Sequence, residues 1–199
     1  PVVVKEHIFY PRVHPCPLET CGCVASFDPI RGELTTFMTS QAPHIVRTVV
    51  SLLSGIPESK VRIVSPDIGG GFGNKVGIYP GYVCAIVSSI VLGKPVKWVE
   101  GRSEDMVSLV HGRDYVMTAR LGVNNDGRIV GLDCEVLAAA GAYPAIGAIL
   151  PLLTQMMSVG VYEIPKVRFD GKTLLTNNTT VGAYRGAGRP EATQRIERV

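Results

Sequence analysis

The sequence predicts an α+β fold with mixed sheets and packed helices, and three observations carry that expectation. Asn124-Asn125-Asp126-Gly127 separates two extended runs, the pattern of an antiparallel hairpin. Ala42, Ile45, Val46, Val49, Val50 and Leu53 instead recur at helical spacing. A short apolar run, Val61–Val64, then leads through a glycine-rich loop into a second apolar helical stretch.

The elements follow in order. Residues 2–9, 21–27 and 33–39 read as strands, separated by proline-rich segments and by the turn Asp28-Pro29-Ile30-Arg31-Gly32. Ser40 can cap the first helix and Gly55 can close it, while Pro43 falls in the first turn, where a missing N–H costs little. Pro80 suits the first position of a helix over residues 80–92. That helix is apolar nearly all round (Val83, Ala85, Ile86, Val87, Ile90, Val91), so cover on several sides is expected. A strand over 96–100 runs into Gly101-Arg102, the hairpin arms occupy 114–123 and 128–138, and 167–175 is a further strand. Residues 138–160 are small and apolar without a clean period and carry no assignment, and 190–199 reads as a helix without a C-cap. With no initiator methionine and an end inside a helix, residues 1–199 read as a fragment of a larger subunit, sub-divided near 105–125.

Composition narrows the function. At 199 residues, with 46% apolar and 19% charged side chains, the chain can bury a substantial core. A net charge of +3 without any run of Lys or Arg argues against nucleic acid as a partner. The longest apolar run, 81–92, is too short for a bilayer span, which needs about 20 residues. Five cysteines, an odd count with no signal-like start, argue against a disulfide framework and for the cytoplasm. Cys16-x4-Cys21-x-Cys23 misses the plant-type iron–sulfur spacing, so Cys21 and Cys23 read as small apolar residues on one strand face. His7, His14, His44 and His111 lack metal-ligand spacing, and no nucleophile elbow or paired-carboxylate pattern supports a hydrolase.

Three motifs remain. Ser65-Pro66-Asp67-Ile68-Gly69-Gly70-Gly71-Phe72-Gly73-Asn74-Lys75 fails the dinucleotide fingerprint at Val76 and the phosphate-loop pattern at Asn74 and Val76. Bare N–H groups in such a loop can converge on an oxyanion or a cofactor edge, and a tight strand-to-helix turn is the plain alternative. Gln41, in Thr39-Ser40-Gln41-Ala42-Pro43-His44, can donate its amide into a pocket or serve as a capping residue. Gly182-Ala183-Tyr184-Arg185-Gly186-Ala187-Gly188-Arg189-Pro190 adds two arginines to a second glycine loop, which suits an anionic group as well as it suits solvent. Arg102 alone reads as a surface residue.

Taken in order, Gln41-Ala42-Pro43-His44, the loop from Asp67 to Lys75, Val96-Lys97-Trp98-Val99-Glu100 and Ala183-Tyr184-Arg185-Gly186-Ala187-Gly188-Arg189 resemble the molybdenum hydroxylases. That family includes xanthine dehydrogenase, aldehyde oxidoreductases and aerobic carbon monoxide dehydrogenase. The likeness is strongest to the large subunit of the last, and it extends through Pro17-Leu18-Glu19-Thr20-Cys21 and Val49-Val50-Ser51-Leu52-Leu53-Ser54-Gly55. The resemblance implies a molybdenum cofactor in its molybdopterin cytosine dinucleotide form. It matches Gln41 to a glutamine bonding an oxygen ligand of molybdenum, and Gly70, Gly71, Phe72 and Gly73 to the loop against the cofactor. Arg102 falls near a substrate-orienting arginine. Arg185, with Gly186 and Ala187, matches the active-site loop whose backbone faces the metal.

In copper-containing carbon monoxide dehydrogenases that loop reads Ala-Tyr-Arg-Cys-Ser-Phe-Arg, and its cysteine holds copper. Gly186 takes the cysteine's place here, so the loop supplies no thiolate and copper is not expected. The glycine-rich version resembles the second form of this subunit, which implies hydroxylation of aldehydes or nitrogen heterocycles with water-derived oxygen. Carbon monoxide oxidation and a non-catalytic cofactor-binding or assembly module are the alternatives. The resemblance also implies a general-base glutamate outside this chain, no metal ligand within it, and iron–sulfur clusters and FAD on partner subunits in a dimer of heterotrimers. A membrane span is not implied.

Overall fold

The computed structural model describes residues 3, 4 and 10–199. It divides into two compact units, one over Pro15–Leu109 and the other joining the described part of the segment up to His14 with Val110–Val199. The strand expected over residues 2–9 lies outside the described residues, apart from Val3 and Val4, which belong to no strand; His7 lies outside them too.

In the first unit β1 (Gly22–Asp28), β2 (Glu33–Met38), α1 (Pro43–Ser54), β3 (Val61–Val64), α2 (Pro80–Leu92), β4 (Val96–Val99) and α3 (Arg102–Ser108) follow one another. The sheet order is β3-β2-β1-β4, with β1 antiparallel to both β2 and β4 and β2 parallel to β3. The Asp28 carboxylate sets the first hairpin turn by accepting the Ile30 N–H at 2.9 Å. Period-2 alternation buries Cys21, Cys23 and Ala25 on one face with Leu34 and Met38. Each such aliphatic side chain contributes about 1.5–3 kcal/mol on full burial. α2 covers this face through Tyr82, Ala85 and Ile86. Gly81 makes the approach feasible: a Cβ there would lie 2.6 Å from Trp98 Cδ2.

Two local expectations need correction. Ser40 does not cap the first turn of α1; Ala42 is the N-cap, and the Ser40 hydroxyl accepts the Ala42 N–H at 3.0 Å instead. Gly55 does close that helix, in the left-handed conformation. α2 is not covered on several sides: Val83, Val87 and Val91 are exposed, Val91 by 77%. Its apolar character therefore exceeds what this unit buries. α3 was not anticipated, because one short turn-pair with Glu104 and Asp105 in its first turn leaves no periodic signature.

In the second unit β5 (Tyr115–Val123), β6 (Ile129–Gly141), α4 (Leu150–Met156), β7 (Val167–Leu175) and α5 (Arg189–Ile196) follow. β6 lies at the centre, antiparallel to β5 and parallel to β7. The hairpin turn closes as its sequence demands, with Gly127 at φ +85°. The stretch left unassigned resolves into the end of β6 and α4, which packs Leu150 with Tyr115, Val136, Ala138 and Val181. Small residues with no period suit this, because Ala138 and Ala140 stand fully buried on one face of a strand rather than on a helix. α5 stops at Ile196 rather than running to residue 199. No helix among the described residues is long and apolar enough to cross a membrane.

Candidate functional site

The first glycine loop folds around one side chain, Gln41. β2 ends just before it, and the Gln41 backbone N–H donates to Lys75 O at 2.9 Å. Its side-chain Oε1 accepts the Gly73 N–H at 2.9 Å and the Lys75 N–H at 3.2 Å. Gly71 is buried against this amide; a Cβ there would lie 2.5 Å from Oε1 and 2.7 Å from Cγ. With the oxygen end committed, the two N–H donors on Nε2 are the free end of the amide among the described residues. Gln41 thus presents a fixed donor, and its assignment as oxygen-inward follows from the two backbone donors.

Positive φ angles at Gly70, Phe72 and Gly73 (+94°, +52° and +99°) wrap the loop this tightly. For Phe72 that conformation carries strain, which its surroundings must support. Its ring lies across Gly70, where a Cβ would approach the ring edge to 2.8 Å, and it remains 39% exposed.

A charged staple holds the loop from behind. Glu19 Oε2 accepts from Lys75 Nζ at 2.9 Å and from the Gly69 N–H at 2.7 Å, and the Glu19 N–H returns a bond to Gly69 O. Lys75 is 1% exposed, so its buried charge depends on the Glu19 carboxylate, which itself reaches solvent. Arg102 belongs to the same assembly. Its guanidinium donates to Pro17 O at 2.5 Å, Leu18 O at 2.8 Å and Asp105 Oδ2 at 2.6 Å, anchoring the segment that carries Glu19.

Burial pushes the Glu19 carboxyl up, but the bonds from Lys75 and Gly69, with the Lys75 charge, outweigh it and leave the net shift downward. A depressed carboxyl stabilises the fold above its ordinary range near about 4.3 and loses that contribution as pH falls through its folded value. Glu19→Gln should therefore melt below the parent at pH 7, with the gap narrowing as pH falls below the carboxyl's ordinary range. Thermal melts across that range check it, and a gap independent of pH would remove the ion pair as its source.

The second glycine loop is built in the other unit. Ala187 N–H donates to Tyr184 O at 2.8 Å, and Arg189 Nη1 donates to Gly186 O at 3.1 Å. Gly186, Ala187 and Gly188 all have positive φ, at +114°, +47° and +88°. A Cβ on Gly186 would lie 2.5 Å from Pro190 Cγ and 2.6 Å from Cδ, inside the first turn of α5. Arg185 projects an exposed cation. Beneath the loop lies Arg113, 4% exposed, which donates to Tyr184 O at 3.1 Å and Arg185 O at 3.3 Å and pairs with the fully buried Glu191 at 3.3 Å.

The structure thus brings Gln41, Gly70, Gly71, Phe72 and Gly73 together, with Arg102 bracing the same unit from the Pro17–Leu18 side. Arg185, Gly186 and Ala187 form the second loop. The sequence places Lys75 in the first loop but does not show its pairing with Glu19, nor the support that Arg113 and Glu191 give the second loop, since these partners are distant in sequence and no spacing marks them. Cys21 and Cys23 are buried in the sheet as small side chains, and burial pushes their thiols up to about 12 and about 11. Among the described residues no group of three His, Cys, Asp or Glu could hold a metal ion.

Residues 1–199 match the family described as the molybdopterin cofactor-binding domain. The chain is 60% identical over 203 residues to the carbon monoxide dehydrogenase large chain of Hydrogenophaga pseudoflava, a match covering 100% of this chain and 25% of that one. It is 35% identical over 190 residues to the nicotine 6-hydroxylase large subunit of Paenarthrobacter nicotinovorans, covering 93% and 23%. Among solved structures, CO dehydrogenase from Oligotropha carboxidovorans superposes with a TM-score of 0.85 at 50% identity, over 94% of this chain and 24% of that one. Quinoline 2-oxidoreductase from Pseudomonas putida 86 gives 0.86 at 30% identity, over 94% and 25%. The chain spans about a quarter of the length of these relatives.

Proposed function

From a chain that belongs to the molybdopterin cofactor-binding domain family, we propose a role as the cofactor-binding part of a molybdenum hydroxylase large subunit acting on aldehydes or nitrogen heterocycles. The observation that carries this reading is the lock on Gln41: two backbone donors take its oxygen and leave its N–H end to an outside acceptor. At residues 70 and 71 a Cβ would strike Phe72 or Gln41, so glycine there lets the loop close around the Gln41 side chain and hold its donor in place.

When bound, the molybdenum cofactor, in its cytosine dinucleotide form, supplies the two-electron oxidation and the water-derived oxygen. The loop of Gly70, Gly71, Phe72 and Gly73 would lie against the group, and Gln41 Nε2 would be placed to donate to an oxygen of it. Phe72, half-exposed and held in place by Gly70, screens that face from water. Arg185 offers an exposed cation to an anionic part of substrate or cofactor, and Arg102 fixes the Pro17–Leu18 segment that braces the loop. By the family resemblance, proton abstraction falls to a glutamate outside residues 1–199; within them, Glu19 and Glu191 serve instead as ion-pair partners of Lys75 and Arg113. Electrons leave to iron–sulfur and flavin subunits in a dimer of heterotrimers in the cytoplasm.

Carbon monoxide oxidation is the second reading, favoured by 60% and 51% identity to two carbon monoxide dehydrogenase large chains. Against it stands Gly186, whose backbone excludes the side chain a copper ligand would need. The test is the full-length protein purified with its partner subunits. About one molybdenum per large subunit, cytidine monophosphate on acid release, and dye reduction by aldehydes or quinoline-type heterocycles are expected. A protein that stays molybdenum-free when cofactor is supplied overturns the proposal. Dye reduction by carbon monoxide together with bound copper replaces it with the second reading, and retained cofactor without turnover points to a binding or assembly module.

A further inference from the structure

We propose that Arg113 is the positioning residue of the second glycine loop, turning two consecutive backbone N–H groups to the face that meets the ligand; only the identity of that ligand rests on the hydroxylase reading. The carbonyls of Tyr184 and Arg185 both accept from the Arg113 guanidinium, at 3.1 and 3.3 Å. Every peptide bond described is trans, so each N–H points opposite to the carbonyl of its own plane. The Arg185 and Gly186 N–H groups therefore face away from Arg113, and neither is bonded among the described residues. Two adjacent donors with this orientation form a concavity that suits an oxygen atom or an anion.

The cost of placing Arg113 there argues for a purpose. Arg113 and Asp114 are adjacent non-glycine residues at φ +72° and +68°, a conformation that persists only where neighbours enforce it. Asp114 is held by Arg12, which also donates to Thr179 O. Arg113 is held by Glu191, by the Tyr10 hydroxyl at 3.0 Å, and by stacking over the Tyr184 ring at 4.7 Å. Glu191 itself is fully buried with Oε2 lacking a partner among the described residues, so the pair is imperfectly satisfied in exchange for its geometry. A planar fork is required: Nε, Nη1 and Nη2 each reach a different partner, which a lysine ammonium cannot reproduce.

The test uses Arg113→Lys in the full-length protein with its partner subunits, and Arg113→Met/Glu191→Leu, which removes both buried charges should the lysine variant fail to fold. Two readouts apply: amide hydrogen exchange over residues 184–188, and the molybdenum(V) electron paramagnetic resonance spectrum of the reduced enzyme. Exchange about tenfold faster in that segment, shifted g values at unchanged molybdenum content, and a kcat lowered about tenfold or more with little change in KM are expected. A folded variant with the parent's exchange and the parent's spectrum overturns the inference, whatever its rate. The exchange arm needs no cofactor, so a parent protein lacking molybdenum sinks the hydroxylase reading while the role of Arg113 is still decided.

Discussion

Gly71→Ala should remove most of the turnover of the complete enzyme while leaving it folded. The new methyl group would occupy space now held by Gln41, 2.5 Å from Oε1 and 2.7 Å from Cγ. Gly71 itself has no positive φ, so alanine is tolerated by the backbone and the conflict is purely steric. The cheapest relief is for the Gln41 side chain to swing out, since it is exposed and unbranched. That movement releases the Gly73 and Lys75 N–H groups and costs about 1–3 kcal/mol, within what the domain can absorb. Turnover should fall about 100-fold, because the donor on Nε2 leaves its fixed position. Gln41→Ala should lose a similar amount, and the double variant Gly71→Ala/Gln41→Ala should be no worse than Gln41→Ala alone, since both act through one side chain. Steady-state kinetics on the cofactor-loaded enzyme, with thermal melts as the control, decide it. Wild-type turnover in folded Gly71→Ala would mean that the locked amide has no part in the reaction.

Much of this arrangement is readable from local pattern, and the remainder is not for a physical reason. β1, β2, α1, β3, α2 and the β5–β6 hairpin follow from alternation, helical spacing and turn chemistry, all of which are local. Glycine enrichment likewise marks both loops. What local pattern misses is the other half of each long-range bond. Glu19 meets Lys75 across 56 residues, and Arg113 meets Glu191 across 78. A charge in a sequence says nothing about whether its partner has been folded beside it. The cover on α2 differs from expectation for a related reason: a helix's apolar circumference shows what wants burial, whereas its neighbours decide what is buried, and in this unit they leave Val87 half exposed and Val91 largely so. Arg102 shows the same lesson in reverse. Read alone it is a surface residue, yet its three strong bonds brace the segment that carries Glu19.

The second large effect separates a missing thiolate from an excluded one. If Gly186 differed from a cysteine only in its side chain, Gly186→Cys would restore a soft ligand and with it monovalent copper binding. The backbone says otherwise. At φ +114° residue 186 lies where non-glycine residues are strained by about 1–3 kcal/mol. Its Cβ would also press on Pro190 Cγ and Cδ, atoms of a ring fixed in the first turn of α5 that cannot rotate aside. Relief requires the loop or the helix start to move, and Gly188 resists the former, since a Cβ-free residue 188 sits against Leu150 O and Thr154. Gly186→Cys and Gly186→Ala should therefore lower the melting temperature to a similar degree, because Cβ is the offending atom in both. Neither should bind stoichiometric copper, and neither should gain carbon monoxide-dependent dye reduction. Differential scanning calorimetry and metal analysis of the two variants, side by side, measure this. A Gly186→Cys protein as stable as its parent and carrying one copper per large subunit would show that the loop can remodel, and that side-chain identity alone separates the two substrate classes.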